Sequence, residues 1–343
     1  TNKGSGEHSP DRRKGSGRMK QVRWGILGCA DIAERRIFPA FQEVKNGVVA
    51  AVATRGSSPR LERIRAAYPP FAVCGYEELL ADPSIDAVYI PLLNSMHLEW
   101  TLKAAKAGKH VLCEKPLVCR SDDVALLRQA AKEHGVYIME AFACLHSPLY
   151  PTIRQLIADG EIGELRVVEA VFSSPLKDPD SPKLSPQFFG GSIHDVGCYN
   201  LLSIRQVTGR EPKSVKAFAT FLPSGVDGTV TALLDMGDGI LGYSLSSKDA
   251  ANHRGLKIIG SNGIITFPKT PNTWGNVEIT VANAKGTRTV SLTVPNNYAA
   301  ELEQMGRCIL EGETPLVSLD ESEKNIRAME MVHAAIGSYM CRP

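Results

Sequence analysis

The chain has 343 residues, enough for two domains, and its hydrophobic and charged fractions of 43% and 22% are those of an ordinary globular protein. Its formal charge is only +2, and residues 1–20 alone have a balance of +4, which leaves the rest of the chain near −2. A folded body without that excess argues against nucleic acid as the main partner. No apolar run reaches the length of about 18 residues that a membrane span needs.

Residues 1–18 contain no Ile, Leu, Val or aromatic side chain, so they cannot bury apolar surface. We predict a disordered leader over residues 1–19, either appended to the protein or a natural basic tail. It lacks the apolar core of a secretory signal, and the eight cysteines are scattered without a Cys-x-x-Cys pair. Buried free thiols are typical of a reducing compartment, so we expect a cytoplasmic protein without a metal site.

Strand and helix patterns alternate between residues 22 and 140. Short apolar runs predict strands at 22–27, 48–53, 87–91, 110–113 and 136–141. Helical spacing and capping signals predict helices at 32–44, 59–68, 76–81, 97–107 and 121–133, the last of them opened by a Ser121 cap. Strands that are apolar along their whole length predict a parallel sheet covered on both faces. We therefore expect an α/β domain built on a parallel sheet over residues 20–142.

The pattern changes near residue 150, where apolar and polar side chains begin to alternate along the strands. The strands are predicted at 165–172, 214–221, 228–234, 240–245, 255–259, 264–267, 277–281 and 287–294. Helices are predicted at 152–159, 298–310 and 322–339. Alternation with Gly and Asn turns is typical of antiparallel pairing. We expect an α+β domain with one large, mostly antiparallel sheet over residues 143–343.

The first strand runs into a small-residue turn that is similar to a dinucleotide fingerprint. The pattern Gly-x-Gly-x-x-Gly/Ala falls on Gly28, Ala30 and Ala33, so the middle glycine is missing. Packing of a small-residue turn would also explain these residues. Because a strand precedes the turn and a helix follows it, the N–H groups at the helix start can bind phosphate. The predicted pyrophosphate site consists of Gly28, Cys29, Ala30, Asp31 and Ile32.

The end of the second strand indicates which dinucleotide binds. An NAD site places Asp or Glu there for the ribose hydroxyls, whereas this chain has Thr54 and Arg55. A guanidinium pairs with a 2′-phosphate that a carboxylate would repel. We predict that both residues contact the cofactor and that NADP is preferred over NAD. A solvated loop arginine is the alternative.

Pro91 ends the third predicted strand and Asn94 and His97 follow it, at the carboxyl edge where ligands of parallel sheets bind. We predict that all three contact the cofactor. A capping or packing role would explain His97 equally well.

Glu114, Lys115 and Pro116 directly follow the fourth predicted strand. We predict that Lys115 polarises a substrate oxygen and helps to relay its proton, and that burial lowers the pKa of its ammonium. Glu114 is predicted to hold that ammonium or the nicotinamide ribose, and the Lys-Pro bond is a candidate cis peptide. A surface lysine before a turn is the alternative.

The run from Gly190 to Tyr199 supplies the candidate partner in the second domain. Its two glycines open a turn, and Asp195 and Tyr199 are four residues apart, which places them on one face if the segment is a helix. Asp195 is predicted to orient a substrate hydroxyl or Lys115, and Tyr199 to exchange a proton with the reacting oxygen. Cap and core roles are the alternatives for both. His194 is expected at the rim.

At these residues the chain resembles the glucose-fructose oxidoreductase, inositol dehydrogenase and rhizopine catabolism family, written Gfo/Idh/MocA. The resemblance extends over nearly all of residues 20–340 and is carried by segments 25–33, 89–100, 108–117 and 190–199. Within the family the chain resembles the D-xylose dehydrogenase and dimeric dihydrodiol dehydrogenase branch. That branch shares the Met-Glu-Ala-Phe run at 139–142 and a tyrosine at position 199.

The resemblance implies a Rossmann domain, an open-faced sheet domain, and hydride transfer between NADP or NAD and a sugar or related diol. It also implies homodimers or homotetramers packed through the open sheets. It gives acid/base roles to Lys115 and Tyr199, with Asp195 in support. The chain departs from the family at 143–148, where relatives tend to place an arginine, so the substrate stays open.

The leading hypothesis is therefore an NADP-dependent oxidoreductase. One alternative is an NAD-dependent glycoside hydrolase, which would oxidise its substrate transiently and retain its cofactor. The other is a non-catalytic dinucleotide-binding regulator. Such a regulator would not need Lys115 and Tyr199 together, so their joint presence favours an enzyme.

Overall fold

The computed structural model describes residues 21–338 and residue 340, so the leader predicted over residues 1–19 lies outside the described residues. The N-terminal half contains a six-stranded sheet. Its strands are β1 (Val22–Leu27), β2 (Gly47–Ala53), β3 (Ala72–Cys74), β4 (Ala87–Ile90), β5 (His110–Cys113) and β6 (Ile138–Glu140). All neighbours are parallel, in the order β3-β2-β1-β4-β5-β6. In this doubly wound arrangement ligands bind at the carboxyl edge where the order reverses, here between β1 and β4.

Helices cover both faces of this sheet. They are α1 (Phe38–Ala40), which continues a π-helical turn at Ala33–Ile37, α2 (Pro59–Ala67), α3 (Tyr76–Ala81), α4 (His97–Lys106) and α5 (Asp123–His134). Trp24 and Tyr89 are buried on one face of the sheet, and Leu27 and Val88 on the other. Burial on both faces requires strands that are apolar throughout, so the predicted parallel sheet is confirmed.

Two local features differ from the sequence pattern. The edge strand β3 is missed because Ala72 and Val73 are exposed and give no buried apolar run. The predicted Ser121 cap is wrong, since α5 begins at Asp123 and the Ser121 hydroxyl donates to Glu330 at 2.8 Å. A partner in the last helix therefore replaces the local capping bond.

The C-terminal half begins with α6 (Leu149–Ala158) and continues into an eight-stranded sheet. Its strands are β7 (Leu165–Ser173), β8 (Ser214–Phe221), β9 (Asp227–Asp235), β10 (Leu241–Ser247), β11 (His253–Gly260), β12 (Gly263–Phe267), β13 (Gly275–Asn283) and β14 (Gly286–Val294). The order is β14-β13-β12-β11-β7-β10-β9-β8. β7 and β10 are parallel and the other pairs are antiparallel, which confirms the predicted sheet type.

Three more helices complete this half: α7 (Cys198–Thr208), preceded by a π-helical turn at Ile193–Gly197, α8 (Asn297–Glu311) and α9 (Leu319–Ala335). α7 packs on β7 and β10, α9 packs on β8, and α8 lies against β1 and β2. The predicted last helix starts earlier, at Leu319, because Ser318 caps it by accepting from the Glu321 N–H. The opposite face of the large sheet exposes apolar side chains, among them Phe218, Leu233 and Leu241.

The described part of the chain can be compared with the structural features of membrane, disulfide-bonded and metal-binding proteins. None of its helices is both long and apolar enough to cross a membrane. Its seven cysteines are free thiols, five of them buried. Within the same residues, no group of three or more His, Cys, Asp or Glu side chains is arranged to hold a metal ion.

Candidate active site

The turn after β1 lies between two cavities at the carboxyl edge of the parallel sheet. Cys29 lines a cavity of about 590 Å³, and Ala30, Asp31 and Ile32 line one of about 450 Å³. Gly28 has a φ of +108°, and a Cβ there would lie 3.1 Å from the Leu92 side chain. Only glycine fits this conformation readily. A dinucleotide whose pyrophosphate rests on this turn would reach both cavities with its two ends.

The first cavity lies beyond β2 and is basic. It is lined by Cys29, Thr54, Arg55, Gly56, Ser57, Ser58, Pro59, Arg60, Arg63 and Tyr76. Arg60 donates to the Cys29 carbonyl at 3.0 Å, so it is tied to the Gly28–Ile32 turn after β1. Both Arg60 and Arg63 also donate to Glu34, at 3.1 and 2.6 Å.

The Glu34 carboxylate thus accepts from both Arg60 and Arg63, and a third guanidinium, that of Arg55, lines the same cavity. Among the residues that the structure describes, no carboxylate forms an ion pair with Arg55. A pocket with hydroxyls and excess positive charge fits a phosphorylated ribose. The residues present therefore fit a nicotinamide dinucleotide that carries a 2′-phosphate.

The second cavity lies between the two halves of the chain, and both contribute to it. Pro91, Asn94, His97, Glu114 and Lys115 come from the parallel-sheet half. The other half contributes Phe172, Lys183, His194, Asp195, Tyr199, Lys248 and Tyr298. The sequence-predicted groups from the two halves therefore meet in one space, although β5 and α7 are far apart along the chain.

Lys115 is the residue that links the two halves most directly. Its ammonium donates to the Asp195 carbonyl at 2.6 Å and lies 5.1 Å from the centre of the Tyr199 ring. The Lys115-Pro116 bond is cis, as the sequence suggested. The expectation of a lowered pKa is wrong. Burial acts to lower the pKa of the ammonium, but the neighbouring Cys198 sulfur and the Asp195 and Glu114 carboxylates outweigh it and raise the pKa.

Tyr199 sits at the start of α7, directly after the π-helical turn. Its ring packs edge-on against Phe142 at 5.5 Å and lies 5.9 Å from Phe172. Burial raises the pKa of the Tyr199 phenol well above 10, and the nearby Tyr298 and Glu114 add to the shift. The phenol is therefore protonated at neutral pH and can donate a proton to an adjacent oxygen.

Asp195 is held by two lysines that the sequence reasoning missed. Lys183 donates to its Oδ1 at 2.8 Å, and Lys248 donates to its Oδ2 at 2.5 Å. Burial alone would raise the pKa of Asp195, but Lys183, Lys115 and Lys248 together hold it well below its usual range. Asp195 is thus a fixed anion. No sequence signal marked the two lysines, because neither lies in a motif.

The remaining predicted residues surround this centre. Glu114 accepts from the Tyr89 hydroxyl at 2.5 Å and from the Lys115 N–H at 3.2 Å, so its carboxylate faces those donors and the Lys115 ammonium binds Asp195 instead. Asn94 donates to the Phe189 carbonyl at 3.0 Å and so joins the two halves of the chain.

Two histidines near the cavity are more enclosed than their sequence positions suggested. His97 is buried, with one ring nitrogen 2.8 Å from the Pro116 carbonyl and the other 3.1 Å from the Leu92 carbonyl. This geometry fits the packing alternative. His194 is also buried, and its ring lies 4.7 Å from that of His333, so the expected rim position is wrong.

Comparison with known proteins identifies the same two parts. Residues 22–142 match the model of an oxidoreductase family with an NAD-binding Rossmann fold. Residues 150–266 match the GFO/IDH/MocA C-terminal domain. The chain is similar to a 3-ketoreductase from Actinomadura kijaniata, solved in complex with NADP and TDP-benzene. The TM-score is 0.87 and the identity 27%, over 92% of this chain and 98% of that one.

Curated relatives agree with the branch expected from the sequence. D-xylose 1-dehydrogenase (NADP(+)) 2 from Haloferax volcanii is 32% identical, over 90% of this chain and 96% of the relative. Trans-1,2-dihydrobenzene-1,2-diol dehydrogenase from Xenopus laevis is 30% identical, over 92% and 98%. With both halves matched by family models and relatives aligned along nine tenths of its length, the chain belongs to the Gfo/Idh/MocA family of NAD(P)-dependent oxidoreductases.

Proposed function

We propose that this oxidoreductase uses NADP and transfers a hydride between the nicotinamide and a hydroxyl-bearing carbon of a sugar or related diol. The observation that carries the proposal is the meeting of Lys115 and Tyr199 in one cavity beside the Gly28–Ile32 turn. A xylose dehydrogenase and a dihydrodiol dehydrogenase among the relatives support this class of substrate.

Lys115 and Tyr199 have distinct roles in this proposal. The Lys115 ammonium, whose pKa is raised, stays charged and donates a hydrogen bond to the reacting oxygen. The Tyr199 phenol gives its proton to that oxygen in reduction and receives a proton from it in oxidation. The bound nicotinamide supplies or accepts the hydride. Asp195 keeps Lys115 in place and does not itself titrate near neutral pH.

The preference for NADP rests on the basic cavity beyond β2. Arg55 lines that cavity together with Ser57 and Ser58, and Arg60 connects the cavity to the Gly28–Ile32 turn. Together these groups can bind a phosphate on the adenosine ribose through charge-assisted hydrogen bonds. NAD is expected to bind more weakly because it lacks the 2′-phosphate with which these guanidinium groups would pair.

A substrate panel tests the proposed reaction. Pentoses, hexoses, inositols and diols are offered with NADP, and with NADPH for the matching carbonyl compounds, while absorbance reports the cofactor. Turnover that is lost in Lys115→Ala supports the proposal. Absence of turnover with every compound, while NADP stays bound, would favour the regulator. Glycoside cleavage without net cofactor turnover would favour the hydrolase.

We also propose that two copies pack through the exposed face of the eight-stranded sheet, as a homodimer or within a homotetramer. Strand register places Phe218, Leu233, Leu241 and Ile264 on that one face. The Phe218 side chain is 83% exposed. A contiguous patch of exposed apolar side chains of this kind marks a protein–protein contact. Light scattering should give a dimeric or tetrameric mass that falls in Phe218→Glu. Val73→Glu, on the other sheet, is the control, and an unchanged mass in Phe218→Glu would contradict the proposal.

A further inference from the structure

Three lysines surround one carboxylate in the cavity between the two halves of the chain. Lys183 and Lys248 bind the two oxygens of Asp195, and the Lys115 ammonium lies 3.6 Å from Oδ1. The Lys248 side chain is only 2% exposed and that of Lys115 13%, so water screens neither charge well. One carboxylate cannot balance three ammonium groups in such surroundings.

The other carboxylates near this cavity have other partners or offset only part of this positive charge. Asp31 pairs with Arg35 at 3.3 Å and lies 3.9 Å from Arg60. Glu114 accepts from the Tyr89 hydroxyl, and its carboxylate also interacts with the ammonium groups of Lys115 and Lys183, so it supplies a second negative charge.

Asp227 lies behind the Gly190-Gly191 turn and accepts from the Ser192 hydroxyl and the Ile193 N–H, both at 2.8 Å. Asp195 and Glu114 together supply two negative charges to the three ammonium groups of Lys115, Lys183 and Lys248, so the cluster keeps an excess of one positive charge.

The proposed hydride transfer uses only one of these three lysines. One ammonium, that of Lys115, serves the reacting oxygen. Lys183 belongs to the loop between β7 and α7 and is 57% exposed, so it lies at the mouth of the cavity and can turn toward an entering molecule. Lys248 directly follows β10 and lines the same cavity with a side chain that is only 2% exposed. One exposed and one enclosed cation on the wall of a substrate cavity can together form a subsite for an oxyanion.

We propose that Lys183 and Lys248 bind an oxyanion of the substrate, a carboxylate or a phosphate, a few bonds away from the reacting hydroxyl. The substrate is then a sugar acid or a sugar phosphate, and a neutral sugar is a poorer ligand. This inference rests on the proposed function for the position of the reacting carbon. The oxyanion itself is assigned from the charge and the geometry of the lysine cluster.

Calorimetry on the NADP-bound enzyme tests the subsite without requiring turnover. Matched pairs are titrated: D-glucose with D-glucuronate, and D-galactose with D-galacturonate. D-glucose 6-phosphate and D-galactose 6-phosphate form a phosphate arm. In one arm or the other, the anionic compound should bind at least about tenfold more tightly than its neutral parent, by an amount typical of a charge-assisted hydrogen bond. The arm that responds identifies the oxyanion. Equal affinity in every pair would overturn the inference.

Variants then locate the subsite. Lys183→Met should reduce the ratio of anionic to neutral affinity several-fold, and Lys183→Arg should restore part of it. Lys177→Met, on the same loop and exposed, is the control and should keep the wild-type ratio. Lys248→Met should reduce this ratio further if the variant folds. The result for Lys183→Met is sufficient by itself, because Lys183 is exposed and its replacement should not disturb folding. A ratio unchanged in Lys183→Met would overturn the assignment.

The two proposals can fail separately. Tight binding of the anionic compound without turnover of any compound would refute the proposed oxidoreductase reaction and support the oxyanion subsite. Rapid turnover of neutral sugars, with no preference for their acids or phosphates, would do the opposite.

Discussion

The arginines at one end of the cleft, in the cavity beyond β2, and the lysines at the other end, in the cavity between the two halves of the chain, carry the same charge but differ in their access to water. Arg60 and Arg63 are 37% and 60% exposed, whereas Lys115 and Lys248 are nearly enclosed. Charges interact weakly across water and strongly across a protein interior. We infer that the exposed end chooses between cofactors, and that the enclosed end changes the energy of the reacting atoms.

The largest effect should follow from removing charge at the enclosed end. Lys115→Met is expected to lower kcat/KM by about 10²–10⁴, because an acid/base and electrostatic contact to the reacting oxygen is lost. Binding of NADP, measured by fluorescence, should persist. Lys132→Met, on the exposed surface of α5, is the control. A kcat/KM within tenfold of wild type in Lys115→Met would break the comparison.

The next effect concerns the phenol at the same end. Tyr199→Phe should lower kcat by about 10²-fold if the phenol exchanges a proton with the reacting oxygen. Because the pKa of Tyr199 is raised, its base form grows only as pH rises. Oxidation by the wild type should therefore accelerate from about pH 6 to pH 10. The variant should lose that slope, and an equal slope in both proteins would assign the proton to another group.

At the exposed end the expected effect is smaller. Arg55→Asp should shift the ratio of kcat/KM for NADP over NAD by about 10- to 100-fold toward NAD, the value of one charge-assisted contact replaced by repulsion. Arg65→Asp lies outside the cavity on α2 and should leave the ratio unchanged. If both variants behave alike, general surface charge and not Arg55 selects the cofactor.

The smallest expected effect is on the stability of the fold. It concerns Glu301, a buried carboxyl group without an ion-pair partner among the described residues. Neither carboxyl oxygen of Glu301 has a hydrogen-bond partner among the described residues, and burial raises its pKa well above 4.5. The folded protein thus keeps a proton that the unfolded chain releases, so stability falls as pH rises above the unfolded pKa. Glu301→Gln removes that loss and should raise the melting temperature at pH 8 by a few degrees.

The same comparison at pH 5 tests the cause. The gain in Glu301→Gln should narrow there, because the unfolded chain then also begins to hold the proton. Glu311→Gln, at the exposed end of α8, should show no gain at either pH. A constant gain in Glu301→Gln at both values would point to packing and not to protonation.

Local patterns in the sequence determined most of the elements and the centre of the site. β1, β5 and β8 begin and end where apolar runs or alternation predict, since burial on two faces or on one leaves its period in the chain. The Gly28 turn and the Lys115 strand end could be placed because both follow such runs directly. Their roles in binding and catalysis stay predictions that the proposed variants test.

Only the tertiary structure decided what surrounds those residues. Lys183 comes from an irregular loop and Lys248 from the end of β10, and nothing along the sequence marks that they converge on Asp195. The direction of the Lys115 pKa shift follows from that convergence, because a pKa depends on every charge and on the water nearby. A sequence records which faces are buried, whereas the meeting of distant charges depends on how two sheets and their loops are packed together.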